Sequence, residues 1–237
     1  MRVWDIHPGY LNRQSLLGEH QEIHALLAIV EGGKRGYAHH PETLRWREHL
    51  GALRVRHEMV VAEMRLRGYR HHTPVRRGEP VRWPQTFVDP PLQQFAILRE
   101  RYREKEPGRI PLPRTAQQAW AQHQYSVLAR GPVRYRLLGQ RVAAGGAALL
   151  SEELALELVE VLRKPPTPGG IRNALEHMWG YVRPYVGSPS GSPSDSRALL
   201  VVLWELATRH RLRYLLESTA LSDLAVWLDL APEALVG

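Results

Sequence analysis

Clusters of proline and glycine divide this chain into segments, and nearly every segment between them carries apolar residues at helical spacing. Proline ends helices because it lacks the backbone N–H donor. The strict alternation that is typical of a half-buried strand is almost absent. The sequence therefore predicts an all-α protein whose helices are separated by Pro- and Gly-rich clusters at residues 71–94, 107–113, 165–170 and 187–196.

The first two predicted helices precede the longest of these clusters. Residues 11–31 carry an amphipathic helical pattern. Residues 41–68 begin with Pro41, which suits a first turn, and end with Gly68, which suits a C-terminal cap, with a break expected near Gly51. In residues 41–68 the leucines, valines and Met64 form a stripe that is expected to face the core. The arginines of this helix are expected to lie mostly on its other faces: Arg45, Arg47, Arg54, Arg56, Arg65 and Arg67.

Further helices are predicted around residues 91–106 and from Ala116 onward, with Ser151 as the N-terminal cap of one of them. Residues 71–94 hold five prolines and clustered arginines, a pattern that indicates an extended connector. We therefore expect two helical lobes joined by a Pro/Arg-rich connector. The expected division is a first domain at 1–80, a connector at 81–113 and a second helical domain at 114–237.

The charge of the chain favours an anionic partner. The formal net charge is +8 with a pI near 10.1, and lysine occurs only at positions 34, 105 and 164, so arginine supplies most of the positive charge. The absence of cysteine excludes disulfides, iron–sulfur clusters and thiol nucleophiles. No apolar run is long enough for a membrane span and the start of the chain lacks a signal-peptide pattern, so we expect a cytoplasmic, nucleoid-associated protein without membrane contact.

The N-terminal stretch MRVWDIHPGYL has the composition of a packed segment. Val3, Trp4 and Ile6 are expected to be buried, which would fix a terminus that ordinarily frays. Met1 is expected to be retained because Arg2 is too large for the processing aminopeptidase. An α-amine ordinarily has a pKa of about 7.7–8.0, below the value of about 10.4 for lysine, so part of it is neutral and nucleophilic near pH 7. Glu22, on the following helix, is a candidate acid or base.

Two histidines flank Glu22. His20 and His24 are four residues apart and share a helical face, as a pair of zinc ligands does. A zinc site needs a further ligand, and the sequence does not identify one. The alternatives are structural histidines or histidines that face DNA.

The runs MRVWDIHPGYL, GEHQEIHALL and GYAHHPETLRW, with a helix ending in RGY, resemble the pyrimidine-dimer DNA glycosylase family over residues 1–75. The resemblance implies a glycosylase with abasic-site lyase activity on damaged double-stranded DNA. In that family an α-amine attacks C1′ of a damaged nucleotide, forms a Schiff base and cleaves the strand by β-elimination. The implied catalytic residues are Met1, Glu22 and Arg2, and no cofactor or obligatory protein partner is implied.

This chain departs from the phage member of that family at several positions. Met1 replaces a mature Thr, Gln21 and Ala25 replace arginines on either side of the glutamate, and Ser15 replaces a histidine. Part of the DNA contact is therefore missing or rebuilt. The residues expected to contact DNA are Arg13, His20, Gln21, His24, Lys34 and Arg35.

Residues 114–190 resemble a helical domain of unknown function that is found attached to tRNA thiouridine desulfidases. The likeness rests on Trp120, His123, Tyr125, Asn173, His177, Gly180 and Tyr181. This resemblance implies no activity for the present chain.

Three functions are compatible with the sequence. The first is the glycosylase/lyase that the resemblance implies. The second is a module that binds DNA or RNA without catalysis, which the substitutions at Gln21 and Ala25 would permit. The third is a zinc-dependent nuclease or hydrolase built on His20 and His24.

Overall fold

A computed structural model describes residues 1–33, 36–76, 78–186 and 191–230. Within these ranges the chain is all-α, as predicted, with no strand and a single isolated bridge between Thr115 and Leu149. Short 3-10 helices lie at Pro8–Tyr10 and Arg183–Tyr185. The α-helices of the described residues are α1 (Arg13–Glu31), α2 (Pro41–Trp46), α3 (Leu50–Leu66), α4 (Pro91–Arg101), α5 (Ala116–Arg130), α6 (Pro132–Ala144), α7 (Glu152–Leu162), α8 (Pro168–Val182), α9 (Ser196–Arg209), α10 (Arg213–Leu216) and α11 (Ala220–Asp229).

Side-chain caps fix several helix starts. Asn12 Oδ1 accepts the Ser15 N–H at the start of α1, and the predicted Ser151 cap of α7 is confirmed, since its hydroxyl accepts the Leu154 N–H. The helix predicted over 41–68 breaks at residues 47–49, just before Gly51. A Cβ atom at Gly51 would lie 2.3 Å from the carbonyl oxygen of Pro80, so glycine lets the connector approach α3 closely.

The predicted separation of apolar and arginine faces in 41–68 is wrong for several residues. Leu44 is exposed, whereas Arg45, Arg54 and Arg56 are buried. Each buried arginine pairs with at least one carboxylate. A buried guanidinium needs such a partner, and the helical pattern alone does not reveal one that lies elsewhere in the chain.

Two hydrophobic clusters form the core, and α3 contributes to both. The first cluster joins the N-terminal segment, α1 and α3 to α4, α5 and α7. The second contains Val55, Met59 and Ala62 of α3 packed with α8, α9 and α11. The described residues of 71–90 form neither helix nor strand, and the Trp83 indole N–H in this segment donates to the carbonyl of Arg163 at 3.1 Å. The division at residues 80 and 113 stays a prediction.

Buried ion pairs join distant parts of the chain. Glu63 of α3 is fully buried and accepts from Arg67 Nε at 2.7 Å, from Arg109 Nη2 at 2.7 Å and from Ser222 Oγ at 2.6 Å. Burial acts to raise the pKa of Glu63, but the two arginines outweigh it and hold that pKa well below its ordinary value. Arg130 contacts both oxygens of Asp223 at 2.7 and 2.9 Å. Part of the arginine content therefore neutralises buried carboxylates and is not available to an anionic partner.

We expect the protein to lose stability as the pH falls below about 6.5. Burial lowers the pKa of His7 from 6.5 to about 3 and the pKa of His123 to about 4. Between those values and 6.5 the unfolded chain binds protons that the folded chain does not. Each histidine then lowers the free energy of unfolding by about 1.4 kcal/mol per pH unit, as chemical denaturation at pH 7, 6, 5 and 4 would measure.

The variant His7→Asn tests the source of this dependence. His7 Nδ1 accepts the Gly9 N–H at 3.0 Å, and an asparagine oxygen keeps an acceptor at that cap. The variant should show a shallower slope below pH 6, while the exposed His72→Asn keeps the original slope. Equal slopes in His7→Asn and the unmodified protein would contradict the expectation.

None of the helices in the described ranges is sufficiently long and apolar for a membrane crossing.

Candidate functional site

Residues 1–6 form neither helix nor strand, and side chains from three helices accept hydrogen bonds from the backbone N–H groups of this segment. The Val3 N–H donates to Glu42 Oε1 at 3.2 Å, the Trp4 N–H to Glu19 Oε1 at 2.9 Å and the Asp5 N–H to Gln94 Oε1 at 2.8 Å. Buried N–H groups need such acceptors. Glu19 is itself held by Arg56, so the path of the terminus is fixed by a buried polar network.

Side chains of the same segment anchor it on both sides. Val3, Trp4 and Ile6 are buried, as predicted. Asp5 pairs with Arg45 and with Arg163, the latter at 2.7 Å. Since Arg163 directly follows α7, the start of the chain is tied to a helix far along the sequence.

The α-amine and Glu22 meet at the protein surface. The nitrogen of Met1 lies 3.8 Å from Glu22 Oε1. The Met1 side chain is only 6% exposed and accepts from Thr43 Oγ1 through its sulfur at 3.8 Å, whereas Glu22 is 38% exposed. Leu16, Ile23 and Leu26 bury the inner face of α1, so Glu22 projects outward to the amine.

Arg2 lies beside this pair. Its Nη1 is 2.6 Å from Asp89 Oδ2, and its guanidinium stacks over Trp4 at 4.8 Å from the ring centroid. The guanidinium of Arg101 also faces Trp4, at 5.6 Å. The guanidinium groups of Arg2 and Arg101 therefore both contact the Trp4 ring, close to the N-terminus.

Met1 and Glu22 line a surface groove with a volume of about 850 Å³. Met1, Arg2, Gln21 and Glu22 line it, so four of the sequence-predicted site residues come together there. The groove wall also contains three residues from the end of α4 and the turn after it, which the sequence pattern does not point to: Arg101, Tyr102 and Lys105. They are about 80 positions from Glu22 in the chain, and a tertiary contact brings them near, since Tyr102 Oη accepts the backbone N–H of Asn12 at the start of α1 at 3.0 Å.

The remaining predicted site residues lie elsewhere. Arg13 is exposed at the start of α1, next to the groove-lining Asn12 and Gln14. Lys34 and Arg35 lie outside the described residues. His20 and His24 are absent from the groove wall.

His20 and His24 instead form a cluster with His57 of α3 and His71, which follows α3. One ligand nitrogen from each of the four lies within 4.8 Å of the others. Burial, and after it the neighbouring histidines, lowers the pKa of His20 to about 4 and lowers the pKa of His24 and His71 in the same direction. The imidazoles of His20, His24 and His71 are therefore mostly neutral at pH 7. The sequence pattern identified only His20 and His24 of this cluster as candidate metal ligands.

The chemistry available in the groove is that of a primary amine beside a carboxylate. The amine can attack an electrophilic carbon and form an imine, and the carboxylate can take up and return protons. Arg2, Arg101 and Lys105 supply positive charge around the pair, which suits a phosphate-bearing substrate.

Comparison with known proteins divides the chain as the sequence resemblances do. Residues 1–77 match the family described as pyrimidine dimer DNA glycosylase. Residues 124–190 match a family described as protein of unknown function (DUF1722). No curated protein and no solved structure matches the chain. The two resemblances are thereby confirmed, with the amine, Glu22 and His20 through His71 all inside the first matched segment.

Proposed function

We propose that this protein is a DNA glycosylase with abasic-site lyase activity and that the α-amine of Met1 is its nucleophile. The observation that carries the proposal is the 3.8 Å approach of the Met1 nitrogen to Glu22 in an open groove flanked by arginines. The similarity of residues 1–77 to pyrimidine dimer DNA glycosylases supports a damaged pyrimidine in duplex DNA as the substrate.

The first step replaces the glycosidic bond by a bond to the protein. The neutral amine attacks C1′, the C1′–N bond to the base breaks, and the base leaves with the electron pair and is protonated. The amine nitrogen then loses a proton to Glu22, and Glu22 returns that proton to the ring oxygen as the C1′–O bond breaks and the sugar ring opens, so that the carboxylate is again free to act as a base. The product is an iminium between Met1 and C1′, whose developing positive charge the Glu22 carboxylate stabilises.

The second step cuts the strand. The iminium acidifies C2′, a proton leaves C2′ to Glu22, and the C3′–O bond breaks so that the 3′ phosphate departs with its electron pair. Water then hydrolyses the imine and releases the amine. No oxidant or metal enters this sequence of steps.

The groove provides contacts for the phosphates around the lesion. Arg101 and Lys105 are exposed on one wall, and Gln21 is exposed beside Glu22 on the other. Arg2, which is partly neutralised by Asp89, and Arg13 at the groove's end extend the positive surface. These residues replace, in our proposal, the arginines that the phage enzyme carries at the positions of Gln21 and Ala25.

Borohydride trapping tests the nucleophile. With duplex DNA containing an abasic site, the unmodified protein should give a covalent complex, and peptide mass spectrometry should place the adduct on Met1. An N-terminally extended form should trap at least about 100-fold less, since its terminal amine no longer lies beside Glu22. Mass spectrometry of the purified protein must first establish that Met1 is the terminal residue.

Lys105 provides the matched control because it is a second primary amine in the same groove. Lys105→Arg should trap as the unmodified protein does. An adduct on Lys105, or equal trapping by the extended form, contradicts the Met1 assignment. Tight, salt-dependent binding without any adduct or cleavage would instead identify a non-catalytic binding module.

A further inference from the structure

We propose that His20, His24, His57 and His71 form a tetrahedral binding site for a divalent first-row transition metal, with Zn²⁺ as the ion that fits it best. The site is separate from the amine groove and belongs to none of the steps described above. It ties α1, through His20 and His24, to His57 on α3 and to His71, five residues after the end of α3.

The nitrogen positions fit a tetrahedral ion. Zn–N bonds of about 2.0–2.1 Å place adjacent ligand nitrogens about 3.3 Å apart. The Nε2 atoms of His24 and His57 lie 3.2 Å apart. The widest separation within the set is 4.8 Å, which small rotations of the half-buried His20 and His71 rings reduce. The ring centroids lie 4.7–5.1 Å apart in each measured pair.

Two further observations indicate that the cluster binds a metal ion. His57 is fully buried, and its Nδ1 lies 3.0 Å from Glu58 Oε1, so the carboxylate holds the proton on Nδ1 and turns the Nε2 lone pair inward. Carboxylate–histidine pairs orient metal ligands in this way. The Nε2 atom of His20 is buried without a hydrogen-bond partner. A metal ion satisfies such an atom directly.

The position of the site on α1 argues for a structural role. At 100° per residue Glu22 lies about 200° from both His20 and His24, on the opposite side of the helix. Four imidazoles complete a tetrahedron and leave no open position for a hydrolytic water. The metal therefore fixes the rotation of α1 against α3, which sets the direction of Glu22, and it does not form the zinc hydrolase that two histidines alone would permit.

Metal binding can be measured without any activity assay. After dialysis against a chelator, titration with Zn²⁺ should give about one ion per chain, and Co²⁺ should produce the intense visible absorption of a four-coordinate complex. Zinc should raise the Tm of the apoprotein because the assembled four-histidine site of the folded chain binds the ion more tightly than separate histidines of the unfolded chain do.

Variants separate ligands from neighbours. His71→Asn, at the half-buried edge of the cluster, should lose stoichiometric binding, whereas the adjacent exposed His72→Asn should retain it. Glu58→Gln should keep the ligands but weaken Zn²⁺ affinity by about 10- to 100-fold. Circular dichroism of each variant confirms that it is helical, and the His72 variant controls for a changed histidine at this point of the chain.

Several results would overturn the proposal. They are failure of the intact protein to bind Zn²⁺ or Co²⁺ stoichiometrically, a weak octahedral cobalt spectrum, or unchanged Zn²⁺ affinity in His71→Asn. Equal loss of binding in His71→Asn and His72→Asn also counts against it, because the structure places only His71 in the cluster.

Discussion

Glu22→Gln is expected to lower both imine trapping and strand cleavage by about 10²–10⁴-fold, the range for removal of a positioned acid–base group. The amide keeps the size of the side chain but cannot accept a proton from the attacking amine or from C2′. Since Glu22 is part-exposed and outside the core, the free energy of unfolding should change by no more than about 0.5 kcal/mol. Single-turnover cleavage of abasic-site DNA is the measurement.

Two comparisons make this result specific. Glu48→Gln removes an exposed carboxylate from the same matched segment but outside the groove, and it should leave the rate unchanged. Affinity of Glu22→Gln for abasic-site DNA should keep the salt dependence of the unmodified protein, because the phosphate contacts remain. A Glu22 variant that traps and cleaves at the original rate would remove Glu22 from the mechanism.

The local features of this site were readable from the sequence. Apolar spacing predicts α1, the burial of Val3, Trp4 and Ile6 follows from their composition, and the order of terminal amine, arginine and Glu22 carries the family resemblance. Each of these depends on residues close together in the chain, where helical periodicity and capping rules apply.

Contacts between distant segments were not readable in this way. His57 and His71 join His20 and His24 only because α3 packs on α1, and Lys105 reaches the groove only because α4 ends there. Arg56 was expected outside the core, yet Glu19, 37 residues earlier, neutralises it inside. Helical spacing relates residues three or four positions apart and is silent on which helices meet.

Such distant pairing also limits how independent the two predicted lobes are. Arg109 joins Glu63 to the carbonyl oxygens of Leu216 and Ser218, so one guanidinium links α3 to the segment before α11. Val55 and Met59 of the same helix lie in the second hydrophobic cluster. Residues from both family matches therefore share a core, and we expect a single cooperative unfolding transition.

Glu63→Gln is expected to lower the free energy of unfolding by about 3–5 kcal/mol, the cost of removing one partner from a buried ion pair. The amide loses the charge that neutralises Arg67 and Arg109, and its NH₂ group faces donors. Urea denaturation at pH 7 measures the loss. The exposed pair of Glu100 and Arg103 is the matched control, since Glu100→Gln should cost no more than about 1 kcal/mol.

The pH dependence of the same variant identifies the charge as the cause. The pKa of Glu63 is lower in the folded protein than in the unfolded chain, so its contribution is present above about pH 4.5 and is lost as the pH falls further. The gap in stability between the unmodified protein and Glu63→Gln should therefore narrow below pH 4.5. A gap that stays constant down to pH 3, or a loss at pH 7 no larger than that of Glu100→Gln, would assign the effect to packing and not to the buried carboxylate.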